Sequence, residues 1–218
     1  MRILVVAQVE DQRNIINQIK KQTRQPDVVH ILVDYKPANT IDTRRKRIAE
    51  NHDKLRDAAW EYEVDMIWQL EGDVDLPENC LERLIEDYHA MWGKDFGFVS
   101  GVQVGRHGLY ALGAWHIYED SFESVDHTKL GIQEVDATGF YCLLAPKHVW
   151  MKGKATWDGE PWGPDVNWGL SINKKKYVDM QLHIGHIVKR GIIRPSDAST
   201  CSVRYFKNAD GEWKYKQL

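Results

Sequence analysis

The sequence has few cysteines, no long apolar run and none of the glycine-rich signatures of nucleotide binding. Its three cysteines, Cys80, Cys142 and Cys201, are scattered through 218 residues with no C-x-x-C pair. That spacing excludes a zinc ribbon and a thioredoxin-type motif, and it reads as three reduced thiols in a cytoplasmic protein. The N-x-S/T acceptor of N-glycosylation is missing too, in keeping with that compartment. No stretch approaches the ~20 apolar residues of a membrane span. The short run at the N-terminus passes at once into Gln8, Glu10 and Asp11, so it reads as a first strand and not as a signal peptide. There is no G-x-x-x-x-G-K-[ST] loop, no G-x-G-x-x-G after the first apolar run and no G-x-S-x-G elbow. P-loop, dinucleotide-binding and α/β-hydrolase classes are set aside on those grounds. An excess of positive charge is also lacking: 29 Lys and Arg against 32 Asp and Glu leave a net charge of −3. Overall charge therefore does not point to a polyanionic partner.

What is present fits one globular domain. Hydrophobic residues make up 43% and charged residues 28%, a composition that sustains a core without a metal or disulfide staple. No repeat or low-complexity segment interrupts it. Apolar runs at 3–7, 28–33 and 66–70 have the continuous character of buried parallel strands. Helical stripes lie between and after them, at 12–21, 43–61 and from Pro77 to about 91. The order β-α-β-α-β-α predicts a mostly parallel sheet flanked by helices, an α/β fold. Further strands are expected at 96–103, 136–145 and 177–182, with a short helix from Pro146 and another over 166–175. Residues 105–130 read as a long loop or a pair of short strands. Residues 1–190 form the domain, and 191–218 read as a polar, basic, aromatic-containing tail or appendage.

Ligands of an open parallel sheet bind beyond the carboxyl ends of its strands. That rule selects Val9 and Glu10 after the first strand, Asp34 after the second, and Glu71, Asp73 and Asp75 after the third. Three carboxylates at alternate positions repel one another unless a cation or hydrogen bonds offset the charge. Oxygen ligands of this kind suit Mg²⁺ or Mn²⁺. A solvated acidic turn ahead of a helix is the plainer alternative.

Four segments in order resemble the family 2-type glycosyltransferases of the GT-A fold. Residues 65–77, DMIWQLEGDVDLP, are similar to the family's apolar strand ending in Asp-x-Asp, with a proline shortly after. Aligning the prolines places Glu71 and Asp73 on the motif acids, with Gly72 between them; a second register uses Asp73 and Asp75. Residues 137–144, ATGFYCLL, resemble the glycine-containing strand facing donor and acceptor, which brings in Gly139. Residues 162–170, WGPDVNWGL, resemble the Glu-Asp motif at a helix start, with Pro164 where the family carries Glu. Ile184-Gly185-His186 looks like the segment that supplies a histidine to the metal.

The resemblance implies a single GT-A-type domain and a metal-dependent enzyme using Mn²⁺ or Mg²⁺. It implies transfer of a sugar from a nucleotide-sugar donor, UDP before GDP, to an acceptor hydroxyl with inversion. Asp73 and His186, with Asp75 or Glu71, would hold the metal, and Asp165 would be the general base. Asp34 would meet the donor base beside Val9 and Glu10, and Arg44 and Arg47 would reach the diphosphate. Trp157 and Trp162, with Gly139, would face the acceptor. Each role has a structural counterpart: a solvated helix face for the arginines, a helix cap for Asp165, core packing for the tryptophans. His183, inside a strand, reads as structural. A glycan, a small molecule and a nucleic acid all stay open as acceptor. A sugar-nucleotide nucleotidyltransferase is disfavoured because residues 8–12 contain no glycine. A non-catalytic binding module on the same fold is kept open by Glu71 and Pro164.

Overall fold

Ile3–Val9 form β1, and its side chains leave alternately on opposite faces. Ile3, Val5, Ala7 and Val9 enter one core cluster, and Leu4 and Val6 enter the other. A strand apolar on both faces belongs inside a sheet covered on both sides, and β1 lies between β2 (Val28–Val33) and β3 (Met66–Glu71), parallel to both. The computed structural model describes residues 1–34, 40–93, 95–105, 111–157, 162–189, 191–196, 202–208 and 210–218.

The sheet continues through β4 (Val74–Asp75), β5 (Phe96–Gln103), β8 (Ile132–Val135), β10 (Cys142–Pro146), β11 (Lys175–Val188) and β12 (Gly191–Ile193). Its main order is β12-β11-β5-β10-β3-β1-β2, with β4 and β8 attached to β11. β10 runs antiparallel to both neighbours, and β11 is parallel to β5. Helices α1 (Gln12–Lys20) and α3 (Cys80–Met91) cover one face with Ile15, Ile19, Leu81 and Leu84. Helices α2 (Ile41–Trp60), α4 (Lys147–Trp150) and α5 (Pro164–Ser171) cover the other with Leu55, Ala59, Trp150 and Trp168. Side chains start the first two helices as expected of N-caps. Asp11 accepts the Arg13 N–H at 2.9 Å, and Thr40 accepts that of Thr43 at 3.1 Å. Trp168 is fully buried, so of the three tryptophans between 157 and 168 it is the one used for packing.

A second, antiparallel sheet is built from β6 (Ala114–Tyr118), β7 (Ser121–Ser124), β9 (Ala137–Thr138), β13 (Val203–Lys207) and β14 (Trp213–Gln217), in the order β14-β13-β7-β6-β9. Residues 191–218, read as a tail, thus add β12 to the central sheet and pair β13 with β7. The strand expected at 136–145 is divided between the two sheets: β9 joins β6, and β10 joins β3 and β5. Pro77 does not open α3. It sits in a turn whose carbonyl accepts the Cys80 N–H at 3.1 Å, and the helix starts there. The helix expected over 166–175 ends at Ser171, because β11 begins at Lys175. β11 also runs past 182 to Val188, so His186 lies within the strand and not after it. Cys80 and Cys142 are buried free thiols 3.5 Å apart, and Cys201 lies outside the described residues.

One buried group carries a cost. His52 of α2 is 1% exposed, stacked on Phe140 at 4.9 Å and 13°, with Trp150 at 4.8 Å. Neither ring nitrogen has a hydrogen-bond partner among the described residues. Burial first, and the Arg56 charge second, hold its pKa down to about 3. The unfolded chain protonates this histidine near pH 6.5 while the folded chain does not, so stability is complete above that pH and falls as the pH drops toward 3. Linkage gives a loss of about 2 kcal/mol between pH 8 and pH 5 from this residue. Urea titrations at the two pH values are expected to show that difference, and His52→Leu is expected to remove most of it.

Candidate active site

One cavity opens at the carboxyl ends of β1, β2 and β3, and a second beside it between Glu71, the end of β5 and the strands β6, β7 and β13. The first, about 340 Å³, is lined by Val9, Glu10, Asp34, Arg44, Arg47, Glu71, Gly72 and Asp73, together with Asn14. All eight residues expected to meet the donor are therefore brought together. Asp34 accepts from Asn51 Nδ2 at 2.7 Å and pairs with Arg47 Nε at 3.3 Å. Arg47 and Asn51 are one helical turn apart on α2, so one face of that helix reaches both. Gly72 lies so close to β1 that a Cβ would meet Val9 Cγ1 at 3.0 Å.

The acidic turn is held from two sides. β4 pairs with β11, setting His186 against Val74 and Gly185 against Asp75. The Ile187 N–H donates to the Asp73 carbonyl at 2.8 Å. A Cβ on Gly185 would come within 3.0 Å of the Asp75 Cβ, so the approach depends on glycine. On the other side stand three amides at i, i+4 and i+8: Asn14 and Gln18 on α1 and Gln22 just past its end. Asn14 Nδ2 donates to the carbonyls of Gly72 at 2.8 Å and Val74 at 3.1 Å. Gln18 Oε1 accepts the buried Leu76 N–H at 2.8 Å. Gln22 Nε2 donates to the Pro77 carbonyl at 2.9 Å, and its Oε1 accepts from Leu81 at 3.2 Å. These residues were not among those singled out in the sequence. Their signal was the four-residue spacing of amides beside the Ile15–Ile19 stripe.

The result is a sorting of the three acids. Asp73 Oδ2 lies 3.4 Å from His186 Nε2. His186 is buried, and its Nδ1 is 2.9 Å from the Val104 carbonyl. A carbonyl can only accept, so Nδ1 carries hydrogen and Nε2 is the ring atom that faces Asp73. Asp75 is not brought to this pair. It binds Lys21 at 3.3 Å and pairs closely with Arg194. Burial alone would raise its pKa, but the two cations outweigh burial and hold it below the usual carboxylate value. Glu71 lies in the wall between the first cavity and the second. Among the described residues no three His, Cys, Asp or Glu side chains come together as a metal cage. A carboxylate oxygen and an imidazole nitrogen oriented by a backbone carbonyl nevertheless fit Mn²⁺ or Mg²⁺, with diphosphate oxygens and water as further ligands.

The second cavity, about 410 Å³, shares Arg44, Ile48 and Glu71 with the first and contains Gly139, Trp162 and Asp165. Asp165 is in the first turn of α5, whose N-cap is Gly163. Its carboxylate lies over that glycine, where a Cβ would be 2.3 Å from Oδ1. Burial pushes the Asp165 pKa up, against the hydrogen bonds of the Val166 and Asp165 backbone and the Arg45 charge. Trp157 lines neither cavity. Its ring face is covered by the Arg45 guanidinium, 4.5 Å from the centroid. His183 Nε2 lies 3.1 Å from the Met180 carbonyl, a structural contact.

No family model and no curated protein matches the chain. In structure it is similar to A197 from STIV, with a TM-score of 0.59 over 91% of this chain and 92% of that one, at 16% identity. That likeness is one of fold. The shared architecture is α/β: a mixed, largely parallel central sheet flanked by helices, with a small antiparallel sheet added. No helix among the described residues is long and apolar enough to cross a membrane.

Two substitutions separate holding the site from forming it. Gln18→Leu leaves the buried Leu76 N–H without its acceptor and is expected to cost about 1–3 kcal/mol in chemical denaturation. Gly163→Ala places a methyl group 2.3 Å from Asp165 Oδ1 and is expected to displace that carboxylate, which a crystal structure of the variant would show.

Proposed function

We propose that the protein is a metal-dependent glycosyltransferase that moves a sugar from a nucleotide-sugar donor to an acceptor hydroxyl. One observation supports this above the others: Asp73 faces His186 at the edge of one cavity, while Asp165 lines a second cavity that shares the Glu71 wall with the first. Nucleotide, diphosphate and sugar then span from Asp34 to Glu71, and the acceptor enters from the Asp165 side. Arg44 and Arg47 face the diphosphate. The Asp34–Arg47 ion pair can open to release the guanidinium to phosphate oxygens.

In the reaction the acceptor oxygen attacks the anomeric carbon, and its proton passes to the Asp165 carboxylate. The bond from the anomeric carbon to the diphosphate oxygen breaks, and the electron pair leaves with the diphosphate. A divalent ion, Mn²⁺ or Mg²⁺, would supply neutralisation of the charge that develops on the leaving group. Asp73 and His186 would hold the ion, and Arg44 would assist from α2. Attack on the face opposite the leaving group inverts the anomeric centre. A UDP-sugar is the first donor to try and a GDP-sugar the second.

A panel of UDP- and GDP-sugars with Mn²⁺, Mg²⁺ or EDTA tests this directly. Binding and donor turnover are expected with metal and not with EDTA. Asp73→Ala and His186→Ala are each expected to reduce metal-dependent donor binding by at least about tenfold. Failure of every nucleotide sugar and nucleoside diphosphate to bind would end the proposal. Metal-dependent binding without turnover, unaltered by Asp165→Asn, would leave a binding module instead.

The pH profile supplies a second test. Asp165 must be ionised to act, so kcat/KM should rise with pH through a limb above the ordinary carboxylate range. Removing the positive charge in Arg45→Ala raises the Asp165 pKa further and should move that limb to higher pH. Arg45→Lys should leave it closer to wild type.

A further inference from the structure

The antiparallel sheet turns an aromatic surface into the second cavity. Trp115 of β6, Phe122 of β7, Tyr205 of β13 and Trp162 all line it. Phe122 is the buried centre of the group. Tyr205 stacks on it at 4.5 Å and 5°, and Trp162 and Trp115 meet it edge-on at 5.6 and 5.3 Å. The Trp162 indole N–H donates to Asn167 Oδ1 at 2.7 Å, so the ring orientation is set before any ligand arrives. Across the cavity stand polar groups: Asp165, Glu71, Gln103, Arg44 and Arg45.

Resting on the glycosyltransferase reading above, we propose that the acceptor is a neutral glycan held against Trp115, Trp162 and Tyr205. A pyranose ring has an apolar C–H face and a hydroxyl edge. Polarised C–H groups are attracted to the negative face of an aromatic ring, and the hydroxyl edge is then presented to the carboxylates. A purely apolar ligand would bury Asp165 and Glu71 with nothing to bond. A nucleic-acid strand would find two carboxylates for two guanidiniums on the cavity wall, a balance that offers little to a chain of phosphates. Preformed rings also lower the ordering cost of binding. The wall takes Tyr205 from the segment after residue 190, which gives that segment a part in acceptor choice.

The experiment is binding of the full chain to an array of neutral mono- and oligosaccharides, followed by tryptophan-fluorescence titration of the hits. A uridine decanucleotide and p-nitrophenol serve as competing probes, and UDP with Mn²⁺ is titrated in parallel. At least one neutral glycan is expected to bind and to quench the fluorescence. Tyr205→Ala and Trp162→Ala should each weaken it by about fivefold to tenfold, and Trp162→Phe should stay within about threefold of wild type. Circular dichroism confirms folding, and Tyr205→Ala carries the test if Trp162→Ala does not fold. Absence of any glycan hit, unchanged affinity in Tyr205→Ala, or tighter binding of the oligonucleotide or p-nitrophenol would overturn the proposal. UDP binding without glycan binding would remove this inference and leave the transferase reading. Glycan binding without any nucleotide binding would keep the saccharide wall and remove the transferase reading.

Discussion

A carboxylate oxygen and an imidazole nitrogen held 3.4 Å apart invite a proton or a cation into the space between them. Asp73 and His186 are in that position, and much of the structure exists to put them there. Glu71, Asp73 and Asp75 leave the end of β3 together, and three like charges so close are unstable by themselves. The fold separates them by assigning each a different neighbour. Asp75 goes to Lys21 and Arg194, Glu71 to the wall between two cavities, and Asp73 to His186. The pairing of β4 with β11 enforces this sorting, since a two-residue strand fixes which side chain faces which way.

Beside the ion pairs of Asp75, the turn is supported by side-chain amides bound to its backbone. Asn14, Gln18 and Gln22 bind carbonyls and N–H groups from Gly72 to Leu81. Amides suit this position because each offers a donor and an acceptor and adds no charge to an already acidic site. Carboxylates in the same places would raise the repulsion, and lysines would compete with a divalent ion for Asp73.

How much of this was legible follows from the range of each contact. β1, β2 and β3 were readable because strands buried on two faces are apolar without alternation. The eight residues around the first cavity were readable because they sit just beyond those strands or one turn into α2. Asp75 could not be separated from Asp73 in the sequence, because the charges that claim it come from residues 21 and 194. Trp157 and Trp162 looked alike until Arg45 covered one of them. The second sheet was hidden for the same reason. β13 meets β7 across about eighty residues, and no local period announces a partner that distant. The strand expected at 136–145 failed at Gly139, where the chain leaves one sheet for the other.

That crossing point ties the two halves of the site together. The Gly113 carbonyl accepts both the Gly139 N–H at 3.1 Å and the Tyr141 hydroxyl at 3.2 Å. Gly113 in turn donates to the Gln103 carbonyl at 2.9 Å, and Gly105 donates to the Ala111 carbonyl at 2.9 Å. Val104, between them, supplies the carbonyl that orients His186. The chain just past β5 thus fixes both His186 and the first aromatic strand of the second cavity through bonds to its main chain. A site assembled this way keeps its two cavities in register without relying on side-chain contacts between them. It also leaves side chains such as Trp115 and Tyr205 open to replacement without disturbing Asp73 and His186. Under the proposed function, the wall assigned to the acceptor can then change while the residues assigned to the diphosphate stay as they are.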